Sequence, residues 1–397
     1  MRILLVTSRY PWPPRRGDQL RAAQMVELLS ADHEVTLLAP APAAGQGPPP
    51  PGARVEIYEM DRGVALAGGL ARAAGRGLPL QSGLFHQRDL TRRLRQLAPR
   101  ADLAVLQLVR LAIHLDDFDD FPELPLVVDL IDSLSLNLER RAAFDRRALR
   151  PLLRLEARRI ERAERRLAGR ARRTLVVCER DRQHLASRLP PELAGRLAVV
   201  GLAVAAVAPA AGVSSGSGGG PLLALTGNLG YFVNSDAVRW FLRAVWPELR
   251  IRRPDVRLLV AGDRPAAGLR RAIAGAGASL VDAAFDLRPL IAAATIALAP
   301  LRGGSGVPIK VLEAWSGGVP VVASPWAAAG TSARAGDDLR IADRPREWLD
   351  TLLELLASPA ERQRLAANGL RRLAADYSAA HVRAQLLGAF ESARTCP

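Results

Sequence analysis

The sequence predicts an α/β protein built as two doubly wound parallel-sheet domains, and three observations predict it. At 397 residues the chain exceeds the ~250 to 300 at which a single core stops growing. Its short apolar runs are rich in Leu, Val and Ile without polar alternation, the pattern of strands covered on both faces. A strand, Gly-bearing loop and helix open the chain, and the same order restarts after the stretch GVSSGSGGGP.

Residues 3–6 read as the first strand, followed by a Pro- and Gly-rich loop. A helix is expected from about Asp18 to Leu29, and residues 34–38 as the second strand, completing one βαβ unit. Residues 103–106, 126–130 and 174–178 read as later strands of the same sheet. Residues 138–173 read as helical, with Leu149, Leu153, Ile160 and Leu167 set in an Arg/Glu-rich, solvated surface. After the linker, 222–226 is the first strand of the second half, a helix follows from about Asn234, and 256–261 and 296–299 are further strands. This places an N-terminal domain at 1–205, a linker at 206–220 and a C-terminal domain at 221–375. Residues 376–397 are expected to form a helix that packs back toward the N-terminal domain.

Lys and Arg number 55 against 40 Asp and Glu, a net charge of +15 that favours polyanionic partners such as anionic lipid or phosphorylated substrates. The arginines are spread along the chain and alternate with acids, and aromatic residues are sparse, so a nucleic-acid partner is not expected. Cys178 and Cys396 are the only cysteines, without disulfide or metal-site spacing, which fits a reducing cytoplasm. The apolar run before Ser8 is too short for a signal peptide, and no stretch approaches the ~20 apolar residues of a membrane span. The five histidines lack the spacing of a metal site or triad. Asp116, Asp117, Asp119 and Asp120 read as a solvated acidic connection rather than metal ligands.

The chemistry is carried by residues 299–324, APLRGGSGVPIKVLEAWSGGVPVVAS. A strand runs into Arg302, Gly303, Gly304, Ser305 and Gly306, and a helix carrying Lys310 and Glu313 follows. Glycines permit close backbone approach, and the N–H groups and dipole of a helix start suit a diphosphate. Lys310 and Glu313 share a helical face, so they either divide a ligand, ammonium to phosphate and carboxylate to ribose, or form a surface ion pair. Lys310 is the only lysine in a chain that otherwise uses Arg for every basic position, which points to a need for a compact point charge. Asn is scarce as well, yet Asn228 and Asn234 fall together in TGNLGYFVNSDA; for Asn234, helix capping is the expected role.

From Gly227 to Ser324 most strongly, the chain resembles family-4 glycosyltransferases of the GT-B fold, particularly bacterial sugar transferases of exopolysaccharide clusters. Gly227, Asn228, Tyr231, Asn234, Asp236 and Ala237 match G-N-x-x-Y-x-x-N-x-D-A. Gly304, Ser305, Gly306, Lys310, Glu313 and Ala314 match G-S-G-x-x-x-K-x-x-E-A, and residues 320–323 match P-V-V-A. Pro13, Pro14, Gly17, Asp18 and Arg21 resemble P-P-x-x-G-D-x-x-R, and residues 129–132 a D-L-x-D strand end.

The resemblance implies two Rossmann-like domains facing a central cleft. It also implies transfer of a sugar from a nucleotide-sugar donor to a glycan, lipid-linked or small-molecule acceptor in polysaccharide or glycoconjugate biosynthesis. The reaction would retain configuration and need no metal or other cofactor. Gly227, Asn228, Arg264, Arg302, Gly304, Ser305, Gly306, Lys310 and Glu313 would bind the donor, with Lys310, Glu313 and Asp18 as the catalytic set. Glu313 takes the position of the second glutamate of the family's E-x7-E pair, which contacts the donor ribose. Ser305 stands where the first is usual, and Asn228 where the family often has Arg. On the acceptor side lie Gly17, Asp18 and Arg21. Asp18 either bonds an acceptor hydroxyl or caps its helix, and Arg21 either pairs with Asp18 or faces the acceptor. A cytoplasmic location is expected, with peripheral contact through the Arg-rich segment 140–173 to an anionic inner membrane face. Rival readings are a non-catalytic scaffold subunit, favoured by Ser305, and a nucleotide-sugar epimerase, for which no acid/base pair is identifiable.

Overall fold

A computed structural model of the chain describes residues 1–61, 63, 68–144, 147–206, 219–282 and 286–395. The described chain divides into two compact units, Met1–Leu202 with Val382–Pro397, and Ala203–His381. Most of the Gly/Ser stretch assigned as linker lies outside the described residues.

The first unit holds a seven-stranded sheet in the order β3-β2-β1-β4-β5-β6-β7, every pairing parallel. Its strands are β1 (Arg2–Val6), β2 (Glu34–Pro40), β3 (Arg54–Tyr58), β4 (Leu103–Gln107), β5 (Leu126–Ile131), β6 (Arg173–Val176) and β7 (Leu197–Val199). The central strands β4 and β5 are buried at every residue, because helices cover both faces of a parallel sheet. The helix expected after β1 spans Gly17–Leu29 and buries Ala22, Met25, Val26 and Leu29. The predicted helical stretch 138–173 resolves into Leu134–Phe144 and Arg150–Arg170, with the second burying Ile160, Ala163 and Leu167. The terminal helix Ala379–Thr395 is fixed within this unit: Arg383 pairs with Asp32 and donates to Leu28 O at 3.0 Å, and Gly201 N donates to Gln385 Oε1 at 3.0 Å.

The second unit repeats the plan with six parallel strands in the order β10-β9-β8-β11-β12-β13. They are β8 (Leu222–Thr226), β9 (Arg257–Gly262), β10 (Ser279–Asp282), β11 (Ile296–Ala299), β12 (Val321–Ala323) and β13 (Arg340–Ile341). Trp348, Phe241, Leu352 and Leu258 anchor its core. In both sheets the strand order reverses beside the first strand of the unit, and ligands in open α/β sheets bind at the carboxyl ends on either side of that point. No described helix is long and apolar enough to cross a membrane.

Candidate functional site

In the second unit the reversal lies between β8 and β11, and the loops leaving their carboxyl ends carry most of the residues that the sequence marks. Gly227 and Asn228 follow β8, Arg302 to Gly306 follow β11, and Arg264 follows the neighbouring β9. The helix after the β11 loop spans Ile309–Ser316, with Pro308 as N-cap and no side-chain cap. It buries Val311, Leu312, Ala314 and Trp315 against the core, and Trp315 Nε1 donates to Asp338 O at 3.1 Å. That packing fixes the other face, which carries Lys310 and Glu313.

Lys310 Nζ donates to Asn234 Oδ1 at 2.7 Å, while Asn234 Nδ2 donates to Asn228 O at 2.9 Å. The lysine is therefore tied through one amide to the β8 loop. Asn228 Oδ1 in turn accepts from Gly230 N at 3.0 Å, closing a tight turn. Gly227 has φ +135°, and a Cβ there would lie 3.1 Å from Lys310 Nζ and 3.0 Å from Asn234 Nδ2. At this φ any other residue is strained, and its Cβ would crowd the ammonium at this strand end. The Lys310 side chain is half-buried as a whole, but its ammonium is withdrawn from water. Burial lowers its pKa to about 8, with Glu313 opposing the shift.

Glu313 shares this half-buried flank of the helix, and burial raises its pKa; Lys310 and Arg288 lower it and Asp286 adds to the rise. Among the described residues its carboxylate has no hydrogen-bond or ion-pair partner. Lys310 and Glu313 thus do not close on each other as a surface ion pair; both acceptor oxygens of Glu313 stay available to a ligand.

Arg302 forms a two-pronged contact with Asp236, at 2.7 and 3.1 Å. Asn234 and Asp236 both lie in the first turns of the helix Phe232–Ala244, so one helix start holds both cations. Here the structure corrects the sequence reading: Tyr231, not Asn234, is the N-cap of this helix, and Asn234 serves Lys310 instead. Gly304 packs against Val233 of the same helix and its carbonyl accepts from Trp326 Nε1 at 3.2 Å. Ser305 is half-buried in the same loop, next to the buried Gly306. Arg264 is mostly exposed and pairs with Asp263 at 2.7 Å, outside this group of contacts.

In the first unit, Gly17 begins its helix, whose N-cap is Arg16 with no side-chain cap. Asp18 does not cap; its carboxylate takes Arg9 Nη1 at 2.5 Å and lies 3.6 Å from Arg110 Nη1. Arg21 neither pairs with Asp18 nor reaches solvent. It is 1% exposed, with Nε donating to Asp129 Oδ2 at 3.2 Å and Nη1 to Gly201 O at 2.5 Å. The Asp of the D-L-x-D strand end is its counter-ion, so this pair holds β5 against the first helix. The acidic connection is solvated as expected, with Asp119 and Asp120 exposed and Asp116 and Asp117 half-buried, and each carboxylate has a basic neighbour. Asp116 and Asp119 pair with Arg166 and Arg170, Asp120 with Arg95, and Asp117 with the buried His114 at 2.7 Å. No group of three or more potential metal ligands occurs among the described residues.

Sequence reasoning missed Arg110, because nothing in LQLVRLAIH marks it, and the Asp286–Arg288 pair beside Glu313. The pairing of Asn234 with Lys310 was foreshadowed only by the scarcity of both residue types.

Residues 220–358 match the family model described as Glycosyl transferases group 1. Compared by sequence with curated proteins, the chain matches none. Among solved structures, Anabaena HepE in complex with UDP is similar with a TM-score of 0.69 at 14% identity, over 99% of this chain and 100% of that one. Sucrose-phosphate synthase from Thermosynechococcus elongatus is similar with a TM-score of 0.74 at 13% identity, over 98% of both chains. A UDP-forming alpha,alpha-trehalose-phosphate synthase from Burkholderia vietnamiensis gives 0.67 at 14%, over 99% and 100%. Each domain thus has the architecture of GT-B glycosyltransferases.

Proposed function

We propose that this chain is a retaining, metal-independent glycosyltransferase that moves a sugar from a nucleotide-sugar donor to a glycan, lipid-linked or small-molecule acceptor. The observation that carries the reading is the chain's single lysine, seated at a strand-end glycine by Asn234 and accompanied one turn later by Glu313, whose carboxylate has no partner among the described residues. The match to glycosyl transferases group 1 covers this region, and the HepE structure similar to this chain holds UDP, so UDP-sugars are the first donors to test.

In this reading the departing nucleotide develops negative charge on its diphosphate, which Lys310 and the β11 loop N–H groups are placed to stabilise. With a pKa of about 8, Lys310 remains mostly charged at pH 7. A compact ammonium held by a neutral amide keeps its full charge for the ligand, whereas Arg302 shares its charge with Asp236. Arg302 therefore contributes after exchanging part of that contact. Glu313 takes the ribose hydroxyls. Gly17 and Asp18 supply the acceptor side, and the site is assigned to polysaccharide or glycoconjugate synthesis at the inner face of an anionic membrane.

Ligand-detected NMR against UDP-, GDP-, ADP- and dTDP-sugars, with wild type and Lys310→Ala in parallel, tests the assignment. Saturation transfer to one nucleotide class that disappears in the variant supports it; equal signals from both proteins overturn it. Ser305, in place of a family glutamate, favours a second reading as a donor-binding scaffold without catalysis. Donor hydrolysis above the buffer rate excludes that reading.

A further inference from the structure

The reversal point of the first sheet carries a cation cluster that the donor chemistry does not use. β1 and β4 pair side by side, and the order turns away on either side of them. Arg9 lies just beyond the carboxyl end of β1, and Arg110 beyond that of β4. The helix Gly17–Leu29 begins between them in sequence, its first amides without a side-chain cap. Asp18 is bonded to Arg9 at 2.5 Å, while Arg110 Nη1 stands 3.6 Å away, beyond hydrogen-bond length.

Arg110 is the unusual member. Its side chain is only 14% exposed, with the guanidinium 5.3 Å from the Phe85 ring centroid, and its Nε and Nη1 are buried without a hydrogen-bond partner. Leaving such donors unmade carries the desolvation penalty of a buried polar group, so a fold that keeps them has a use for them. Burial and the neighbouring Arg9 and Arg16 lower its pKa to about 10, against the pull of Asp18 and Asp132, so it stays charged at neutral pH. A planar fork whose Nε and Nη1 make no hydrogen bond, Nη1 standing only within ion-pair reach of Asp18, together with a second arginine and an uncapped helix start, suits a tetrahedral oxyanion.

We propose that Arg110, with Arg9 and the amides of the helix start, binds a phosphate group of the acceptor, so that the acceptor is a phosphorylated sugar or a lipid phosphate. This rests on the glycosyltransferase reading only for the word acceptor; the phosphate site itself does not depend on Lys310.

Calorimetric titration of the full chain with inorganic phosphate and methyl phosphate tests it, in wild type, Arg110→Gln and Lys310→Ala. The expected result is binding that falls at least tenfold in Arg110→Gln, persists in Lys310→Ala, and leaves UDP affinity unchanged in Arg110→Gln. Phosphate binding that is missing in wild type, or equal in wild type and Arg110→Gln, overturns the proposal. Should UDP fail to bind wild type while Arg110-dependent phosphate binding holds, the donor reading fails and this site stands. If circular dichroism shows Arg110→Gln unfolded, Arg9→Gln and Arg110→Lys decide, each expected to weaken phosphate and the second to do so without losing the charge. Phosphatidylcholine vesicles with and without phosphatidic acid separate the sources. Arg110-dependent capture of the anionic vesicles assigns a lipid phosphate, and soluble monoester binding alone assigns a phosphorylated sugar.

Discussion

Lys310 and Asn234, 76 residues apart, are joined by a 2.7 Å hydrogen bond from Nζ to Oδ1, and this bond fixes where the chain's one ammonium stands. Because burial lowers its pKa to about 8, the charge is present below that pH and is lost above it. UDP affinity is therefore expected to hold from pH 6 to 7.5 and to fall by up to about tenfold per unit above pH 8. Calorimetry across pH 6.5 to 9.5 checks this, and a flat profile would count against Lys310 as the phosphate contact. Lys310→Ala is expected to lower turnover by ~100- to 1,000-fold while the fold remains intact by circular dichroism.

Glu313 is predicted to read the ribose. Wild type should bind UDP more tightly than its 2′,3′-dideoxy analogue by on the order of tenfold, about 1.4 kcal/mol, and Glu313→Ala should lose that preference. A preference that survives the substitution would assign the ribose contact elsewhere.

The buried Arg21–Asp129 pair predicts a stability defect rather than a binding defect. Both side chains are essentially inaccessible, so Asp129→Ala strands the Arg21 charge and should cost about 3 to 5 kcal/mol. Urea denaturation followed by circular dichroism measures it. A loss below about 1 kcal/mol would show that water or a rearrangement compensates.

Glu164 predicts a pH-dependent stability of the first unit. Burial raises its pKa to about 8, although Ser135 donates to it through Oγ at 2.6 Å and through N at 3.2 Å. The folded state therefore keeps a proton that the unfolded chain releases near 4.5. The stabilising contribution is complete below about pH 4.5, declines as pH rises, and is gone above about pH 8. Glu164→Gln should flatten the fall in melting temperature between pH 5 and pH 8; an unchanged slope would assign the dependence to another group.

The sequence made the central strands legible because β1, β4, β5 and β8 are buried on both faces and so read as unbroken apolar runs. The edge strands were not legible. RVEIY in β3 and SLVD in β10 are largely part-exposed, and their polar residues mask the pattern. At the site, the position of Lys310 and Glu313 on one helical face followed from spacing alone. The partners do not: local preference makes Asn234 a cap, yet a contact 76 residues away governs its side chain. Sequence spacing points Arg21 at Asp18 or an acceptor, whereas its counter-ion is Asp129, 108 residues on. Local rules describe the backbone well and long-range electrostatics poorly.

A chain with one lysine carries its own reporter. Apart from the α-amino group, Lys310 is the sole amine that an acylating reagent can modify, and near neutral pH its lowered pKa leaves a measurable neutral, nucleophilic fraction. Peptide-mapping mass spectrometry after brief exposure to an activated ester would therefore count the group added at Lys310 separately from any at the α-amino group. Protection from that addition by a candidate nucleotide would report occupancy without any engineered label.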